Sequence, residues 1–295
     1  MRNLIFPLAI FFIIKSNVHA NRNAFTSPSC FSMGGAGSLF LSANAQIKNP
    51  AVLNKSRSIT TSIVRYPALI SSQSLGLNFP FDNFIFSSSF KHLSYGVFKG
   101  YNENGEDIGS YRSNETWVDG YLSKEMNFYP ILLGSSISLK SANFSSLNIK
   151  TLFTSIGAIG YFKNKNNAVG LSINQIGLKL TDQQISYISP NFILGGSKKL
   201  NHLPAIIYVD FLIEEKHDTE IFMGACFSLN KTMKILVGSS NRKIDQNTSQ
   251  NLFRSFLGAT GFGFEYDFNQ VLVQYGFYYY GAGVRVDGLS IGIRF

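Results

Sequence analysis

The sequence predicts an all-β fold: a 14-stranded antiparallel transmembrane β-barrel with a short N-terminal plug segment. Three observations carry this expectation. Apolar residues make up 45% of the chain and charged residues only 15%, well below the roughly one quarter usual in soluble domains. No apolar run approaches the ~20 residues that a membrane-spanning helix needs. Hydrophobic residues instead alternate with small or polar ones, and a period of two puts the two sets on opposite faces of a strand. With 27 Phe the chain has ample apolar mass, which excludes intrinsic disorder.

Residues 1–20 begin with Arg2, run through the apolar stretch Leu4 to Ile14 and end in Val18-His19-Ala20. A basic start, a short apolar core and small residues before the cut are the pattern of a secretory signal peptide, with cleavage expected after Ala20. Removing Arg2 and Lys15 leaves 24 basic against 17 acidic residues, so the formal charge falls from +9 to +7. These charges are scattered, without the dense basic cluster that would mark a nucleic-acid partner. Cys30 and Cys226 are the only cysteines, which excludes a disulfide scaffold and leaves one bridge open.

Residues 21–57 do not alternate and form the expected plug. Their two elements are Met33-Gly34-Gly35, continuing Ala36-Gly37-Ser38, and Asn49-Pro50-Ala51. Small residues let such a backbone lie close to an inner wall, and Asn-Pro is a turn signal. A phosphate-binding cradle would need a following Gly-Lys-Ser/Thr between a strand and a helix, which is absent.

The barrel is expected over 58–295, with strands at 58–65, 74–80, 84–101, 115–125, 132–141, 151–161, 168–177, 191–199, 205–213, 220–229, 231–239, 256–267, 270–280 and 289–295. The last strand is the clearest. Leu289, Ile291, Ile293 and Phe295 occupy one face, with Ser290, Gly292 and Arg294 on the other. That is an apolar lipid face, a polar lumen face and a terminal aromatic, here taken as the signal read by the barrel assembly machinery. The connections test the strand count, since alternate ones must share a side. One set is 66–73, 102–114, 142–150, 178–190, 214–219, 240–255 and 281–288; the other is 81–83, 126–131, 162–167, 200–204, Asn230 and Phe268-Asn269. Long connections on one side and short turns on the other match extracellular loops and periplasmic turns, which sets the chain in the bacterial outer membrane with membrane lipid around it.

Catalysis is not expected. A nucleophile, base and acid would have to meet at one site, and His92, His202 and His217 fall at different depths. His92 with Ser88 or Ser94 is the one neighbouring set, and His92 is read as lumen lining. Cys-x-x-Cys and His-x-x-x-His spacings are absent, so neither a metal nor a cofactor is expected. Glu265, Asp267 and Arg294 read as a charge network on the lumen wall.

The plug elements, together with Leu93-Ser94-Tyr95-Gly96, Asn104 to Tyr111, Gly134 to Ser141, Leu171 to Gly177 and Gly195 to Pro204, carry a resemblance over nearly the whole mature chain. They look like the outer-membrane family that includes FadL-type transporters of hydrophobic substrates and the PorV/PorQ proteins of type IX secretion, nearest the PorQ-like branch. Gln175 departs from that pattern, as does Lys48 before Asn49-Pro50. The resemblance implies an accessory barrel that anchors a surface partner, such as a PorZ-like or PorU-like protein of the attachment complex. Outer loops would do the docking, through Glu103, Glu106, Asp107 and Arg112 in 102–114 and Arg242, Lys243, Asp245 and Arg254 in 240–255. The alternative implied by the same family is passage of hydrophobic small molecules through the lumen, with 21–57 as a movable plug. That alternative requires an apolar path and an opening in the wall. If the loops dock a partner, deleting 240–255 should release it from cells while leaving barrel assembly intact, as read by surface co-purification.

Overall fold

The computed structural model describes residues 27–40, 48–101, 104–126, 129–144, 147–162, 166–181, 184–215, 217–241, 259–280 and 284–295. One short helix, α1 (Pro28–Ser32), precedes the strands β1 (Ser58–Arg65), β2 (Ser71–Phe81), β3 (Phe84–Tyr101), β4 (Asp107–Glu125), β5 (Ile131–Phe144), β6 (Leu147–Phe162) and β7 (Asn167–Thr181). These are followed by β8 (Ile185–Ile188), β9 (Asn191–Lys199), β10 (Ala205–Glu214), β11 (His217–Ser228), β12 (Met233–Ser240), β13 (Thr260–Phe268), β14 (Val271–Tyr279) and β15 (Arg285–Arg294). Every pairing is antiparallel. The sheet closes where β15 meets β1, with Ser58 opposite Arg294 and Arg65 opposite Asp287. Fourteen strands form the closed wall, and β8 is an extra piece paired only to β7.

Closure leaves no free sheet edge, and the alternation then sorts the side chains. On β1, Ser58, Thr60, Ser62 and Val64 are buried inside while Ile59 and Ile63 face outward, Ile63 half exposed at 50%. Phe79, Phe90, Leu133, Ile137, Leu171, Phe211, Phe264 and Leu289 continue this outer apolar surface around the wall. The lumen side carries small polar groups that satisfy one another: Ser62 with Ser74, Asn78 Nδ2 donating to Ser58 Oγ at 3.3 Å, and Ser89 Oγ donating to Asp119 at 2.8 Å. An apolar outside and a polar inside are the reverse of a soluble barrel and the requirement of one standing in lipid. The expected faces of the last strand hold, and Phe295 sets its ring edge-on to Phe79 at 6.3 Å.

Six of the seven expected outer loops are shorter than the sequence implied, three of them markedly. β4 begins at Asp107 inside 102–114, β5 and β6 run into 142–150 from both ends, and β7 with β8 occupies most of 178–190. In the β3–β4 ribbon both faces meet water, so the apolar alternation vanishes while the hydrogen-bond ladder continues; in β7 and β8 the alternation itself persists, with Leu178, Leu180, Ile185 and Tyr187 on an exposed face. Beyond Ser94 and Ser113, β3 and β4 rise as a two-stranded ribbon past the tops of β2 and β5, by roughly 20 Å at ~3.3 Å per residue.

His92 is also corrected. Lys91 faces the lumen opposite Trp117, so His92 points outward, where its Nδ1 lies 2.9 Å from Thr116 Oγ1. The hydrogen bond partners one ring nitrogen of His92 with the Thr116 hydroxyl on the outer face. Cys30 and Cys226 are both buried free thiols, which closes the question of a bridge.

Because Ile291 lies outward near the middle of β15, Ile291→Arg should cost about 2–4 kcal/mol of unfolding free energy in lipid vesicles. Urea titration followed by the heat-dependent gel mobility of the folded barrel measures it.

Candidate functional site: a plugged lumen beside an interrupted wall

The plug enters through α1, whose N-terminus is capped by Ser27 Oγ accepting from Cys30 N at 3.3 Å. Phe31 and Met33 are fully buried and join Val64, Tyr208, Leu212, Phe222, Leu236 and Tyr278 in the main apolar cluster of the molecule. This cluster fills the β9 to β15 side of the lumen. The chain then crosses to the opposite wall, where Ala51 packs with Leu132, Ile159 and Ala168.

Close seating depends on glycines of the wall that point inward. A Cβ on Gly238 or Gly224 would collide with the Met33 backbone, one on Gly261 with the Phe31 carbonyl, and one on Gly134 with Pro50 and Ala51. From the plug side, Gly34 has φ +65° and lies against Ser239, where both the backbone angle and the space exclude a side chain. Polar contacts then fix the position. The buried Asp210 carboxylate accepts from Gly37 N at 2.7 Å, Ser38 N at 2.9 Å and Ser38 Oγ at 2.5 Å. Asn49 Nδ2 spans β6 and β7, 3.4 Å from the Ala158 and Leu171 carbonyl oxygens. Ser123 Oγ donates to the Ala51 carbonyl at 3.0 Å, and Lys48 Nζ donates to the Gly35 carbonyl, tying the two plug elements together.

The wall is interrupted beside this floor. Between the pairs Thr154–Ile176 and Ile156–Ile173, the single residue Ser155 faces both Asn174 and Gln175, a bulge in which Gln175 takes φ +63°. On the other side of β7, β8 and β9 keep one register but break at Ser189-Pro190. Proline has no N–H to give to the ladder, so pairing lapses there. Both seams of β7 therefore loosen at one height. Inside, a cavity of about 130 Å³ opens at that height, lined by Lys48 and Pro50 of the plug, Ser155, Gln175 and Asn191 of the break, and Lys91, Trp117, Asp119, Phe153 and Phe222 around it. Outside, a trough of about 500 Å³ runs over β3 to β6, where Gly120 and Ser135 leave room between Phe79, Phe86, Ile137 and Ile156. Cavity and trough share Tyr121, Ser136 and Ser155, so they lie on the two sides of one stretch of wall.

Two further groups of charges line the lumen. Glu115 pairs with Lys140 at 2.9 Å, and the ammoniums of Lys140 and Lys91 stand 4.9 and 5.2 Å from the Trp117 ring centroid. Nearer the periplasmic turns, Glu265 is held by Lys234 and by Gln274 Nε2, each at 2.5 Å, while Arg294 pairs with Asp267. The three charges singled out from sequence thus form two separate pairings, with Lys234 and Gln274 as the missed partners.

Of the other sequence-selected residues, Met33, Gly34, Gly35, Asn49, Pro50 and Ala51 all lie in the plug against the wall. Glu106 and Asp107 stand at the tip of the β3–β4 ribbon and Arg112 along it, with Asp107 Oδ1 accepting from Gly109 N at 2.8 Å. Glu103, Arg242, Lys243, Asp245 and Arg254 lie outside the described residues, as does the leader 1–20. Sequence reasoning missed Asp210, Trp117, Lys91 and Asn191. A lone Asp in the apolar and aromatic run of β10 was the available signal for the first. Each contact to Asp210 is charge-assisted, worth about 1.5–3 kcal/mol. Asp210→Ala should therefore speed amide hydrogen exchange at Gly37 and Ser38 by at least tenfold, as measured by mass spectrometry.

No protein-family model matches the sequence, and no curated protein matches it. Solved structures do share its fold. The P. putida toluene transporter TodX superposes with a TM-score of 0.63 at 12% identity, covering 91% of this chain and 98% of that one. The monoaromatic hydrocarbon channel CymD gives 0.60 at 11%, covering 92% and 97%. A Pseudomonas aeruginosa FadL homologue gives 0.57 at 10%, covering 91% and 98%. The chain is thus a β-barrel of the bacterial outer membrane whose structural neighbours are barrels of the FadL type, and nothing in these likenesses supports the finer PorV/PorQ assignment.

Proposed function

We propose that the chain conducts small hydrophobic molecules across the outer membrane, taking them in from the extracellular end, holding them above the plug and releasing them beside β7. The observation that carries this reading is the cavity itself: its floor is the plug and one of its sides is the break in the wall. A solute resting there touches Trp117, Phe153, Ile193, Leu212 and Phe222, which suits an apolar body. The path is not apolar throughout, since Ser136, Ser138 and Ser155 interleave with these groups. Two routes lead on: movement of the plug, or passage between the loosened strands into the outer trough. The neighbours described as toluene and monoaromatic hydrocarbon channels add support to this reading over anchoring in type IX secretion.

Docking of an attachment-complex protein is the second reading, and the observation favouring it is the β3–β4 ribbon, which lifts Glu106, Asp107 and Arg112 clear of the rim. It is compatible with conduction, because ribbon and lumen are separate surfaces.

A disulfide separates gating by the plug from passage around it. The Cβ expected at position 195 lies 3.3 Å from Ser38 Cβ, close to disulfide range. With Ser38→Cys and Gly195→Cys oxidised, toluene entry into cells producing the chain should drop about tenfold and recover on reduction. Unchanged entry in the oxidised protein would show that the plug does not gate.

A further inference from the structure

The cavity above the plug carries polar chemistry that a bare hydrocarbon does not use. Lys91 Nζ lines it and, apart from the Trp117 ring, has no hydrogen-bond or ion-pair partner among the described residues. Asn191 is 4% exposed, lines the same cavity, and its side-chain oxygen has no hydrogen-bond partner among the described residues. Lys48 gives one hydrogen bond to the Gly35 carbonyl and lies 4.2 Å from the Phe222 centroid, which leaves donor capacity towards the cavity. The one carboxylate in the lining, Asp119, accepts from Ser89 Oγ at 2.8 Å. The lining therefore carries two ammoniums against one carboxylate.

Buried polar groups are normally satisfied, and an ammonium in a cavity wall with no acceptor among the described residues marks a place where something else supplies one. The apolar part of the lining meanwhile accepts a flat or compact body between Trp117, Phe153 and Phe222. Size limits that body. A dry engineered cavity of about 150 Å³ holds one benzene, and this one is about 130 Å³. A long acyl chain would have to extend out of it into the lumen.

We propose that this cavity is a selectivity site for one-ring or equally small amphipathic acids, molecules with an apolar body and a single carboxylate. The carboxylate sits between Lys48 and Lys91 and accepts from both, and the Asn191 amide turns Nδ2 to it, since a carboxylate has no hydrogen to give to Oδ1. This rests on the conduction reading above and narrows its substrate class. A hydrocarbon of the same size would leave Lys91 and Asn191 unpaired after displacing their water, a disadvantage of about tenfold or more.

The test uses the full barrel in proteoliposomes with radiolabelled benzoate at pH 8, and in parallel toluene entry into cells producing it. Benzoate should enter at least tenfold faster than into protein-free vesicles. Lys91→Met and Asn191→Leu should each reduce that entry about tenfold while raising toluene entry, because the hydrocarbon then leaves no polar group unpaired, and Lys91→Arg should retain most of the benzoate entry. Excess benzoate should compete with the label and decanoate should not. Gel mobility confirms that each variant is a folded barrel. If toluene enters and benzoate does not, or if both variants pass benzoate like the parent, the acid site is wrong while conduction stands. If decanoate competes as well as benzoate, the size limit is wrong. If neither solute enters, the conduction reading itself falls.

Discussion

Every feature of this molecule follows from the need to pair backbone N–H and C=O groups in a medium that offers no water. An open sheet would leave two edges unpaired in hydrocarbon, at several kcal/mol per group. The β1–β15 ladder, from Ser58–Arg294 to Arg65–Asp287, removes both. Once the sheet is closed, alternation does the rest. The outer face collects Ile, Leu and Phe, and the inner face collects Ser, Asn, Gly and the charges.

Closure creates a lumen, and the plug is what keeps it from being an open pore. Its attachment differs from core packing in a soluble protein. Apolar contact is concentrated on one side, around Phe31 and Met33, while Asn49 anchors the other. Inward glycines let the plug backbone lie close on both sides, Gly224, Gly238 and Gly261 against Met33 and Phe31 and Gly134 against Pro50 and Ala51. Asp210 adds a point of high cost and high specificity, since a buried carboxylate is tolerated only because three donors of the plug converge on it.

The break at β7 is the counterpart in the wall. Bulge and proline both suspend the ladder, and each alone would be an ordinary irregularity. Here they flank the same strand at the same height, beside the cavity and behind the outer trough. One backbone group that loses its ladder partner there gains another, Gln175 N donating to Ser155 Oγ at 3.4 Å. That substitution of side chain for backbone lets a barrel thin its wall locally without exposing bare amides to lipid.

Much of this was legible in the sequence. Alternation alone determined the strand number, the faces of β15 and the sidedness of the connections, because a half-lipid, half-lumen strand writes its environment into every second residue. The unusual composition of 21–57 announced a segment that lies against a wall. What alternation could not register was the β3–β4 ribbon with water on both faces, so the top of β4 reads as loop; at β7 and β8 the alternation of Leu178, Leu180, Ile185 and Tyr187 is present but interrupted by turn residues. Nor could it show which inward residues meet. Asp210 reaches Gly37 and Ser38 across more than 170 positions of chain, and Lys91, Trp117 and Asn191 come from three strands around one cavity. Local pattern records whether a residue faces lipid or lumen. Only closure of the ring decides what stands opposite it, because that depends on register summed around all fourteen strands.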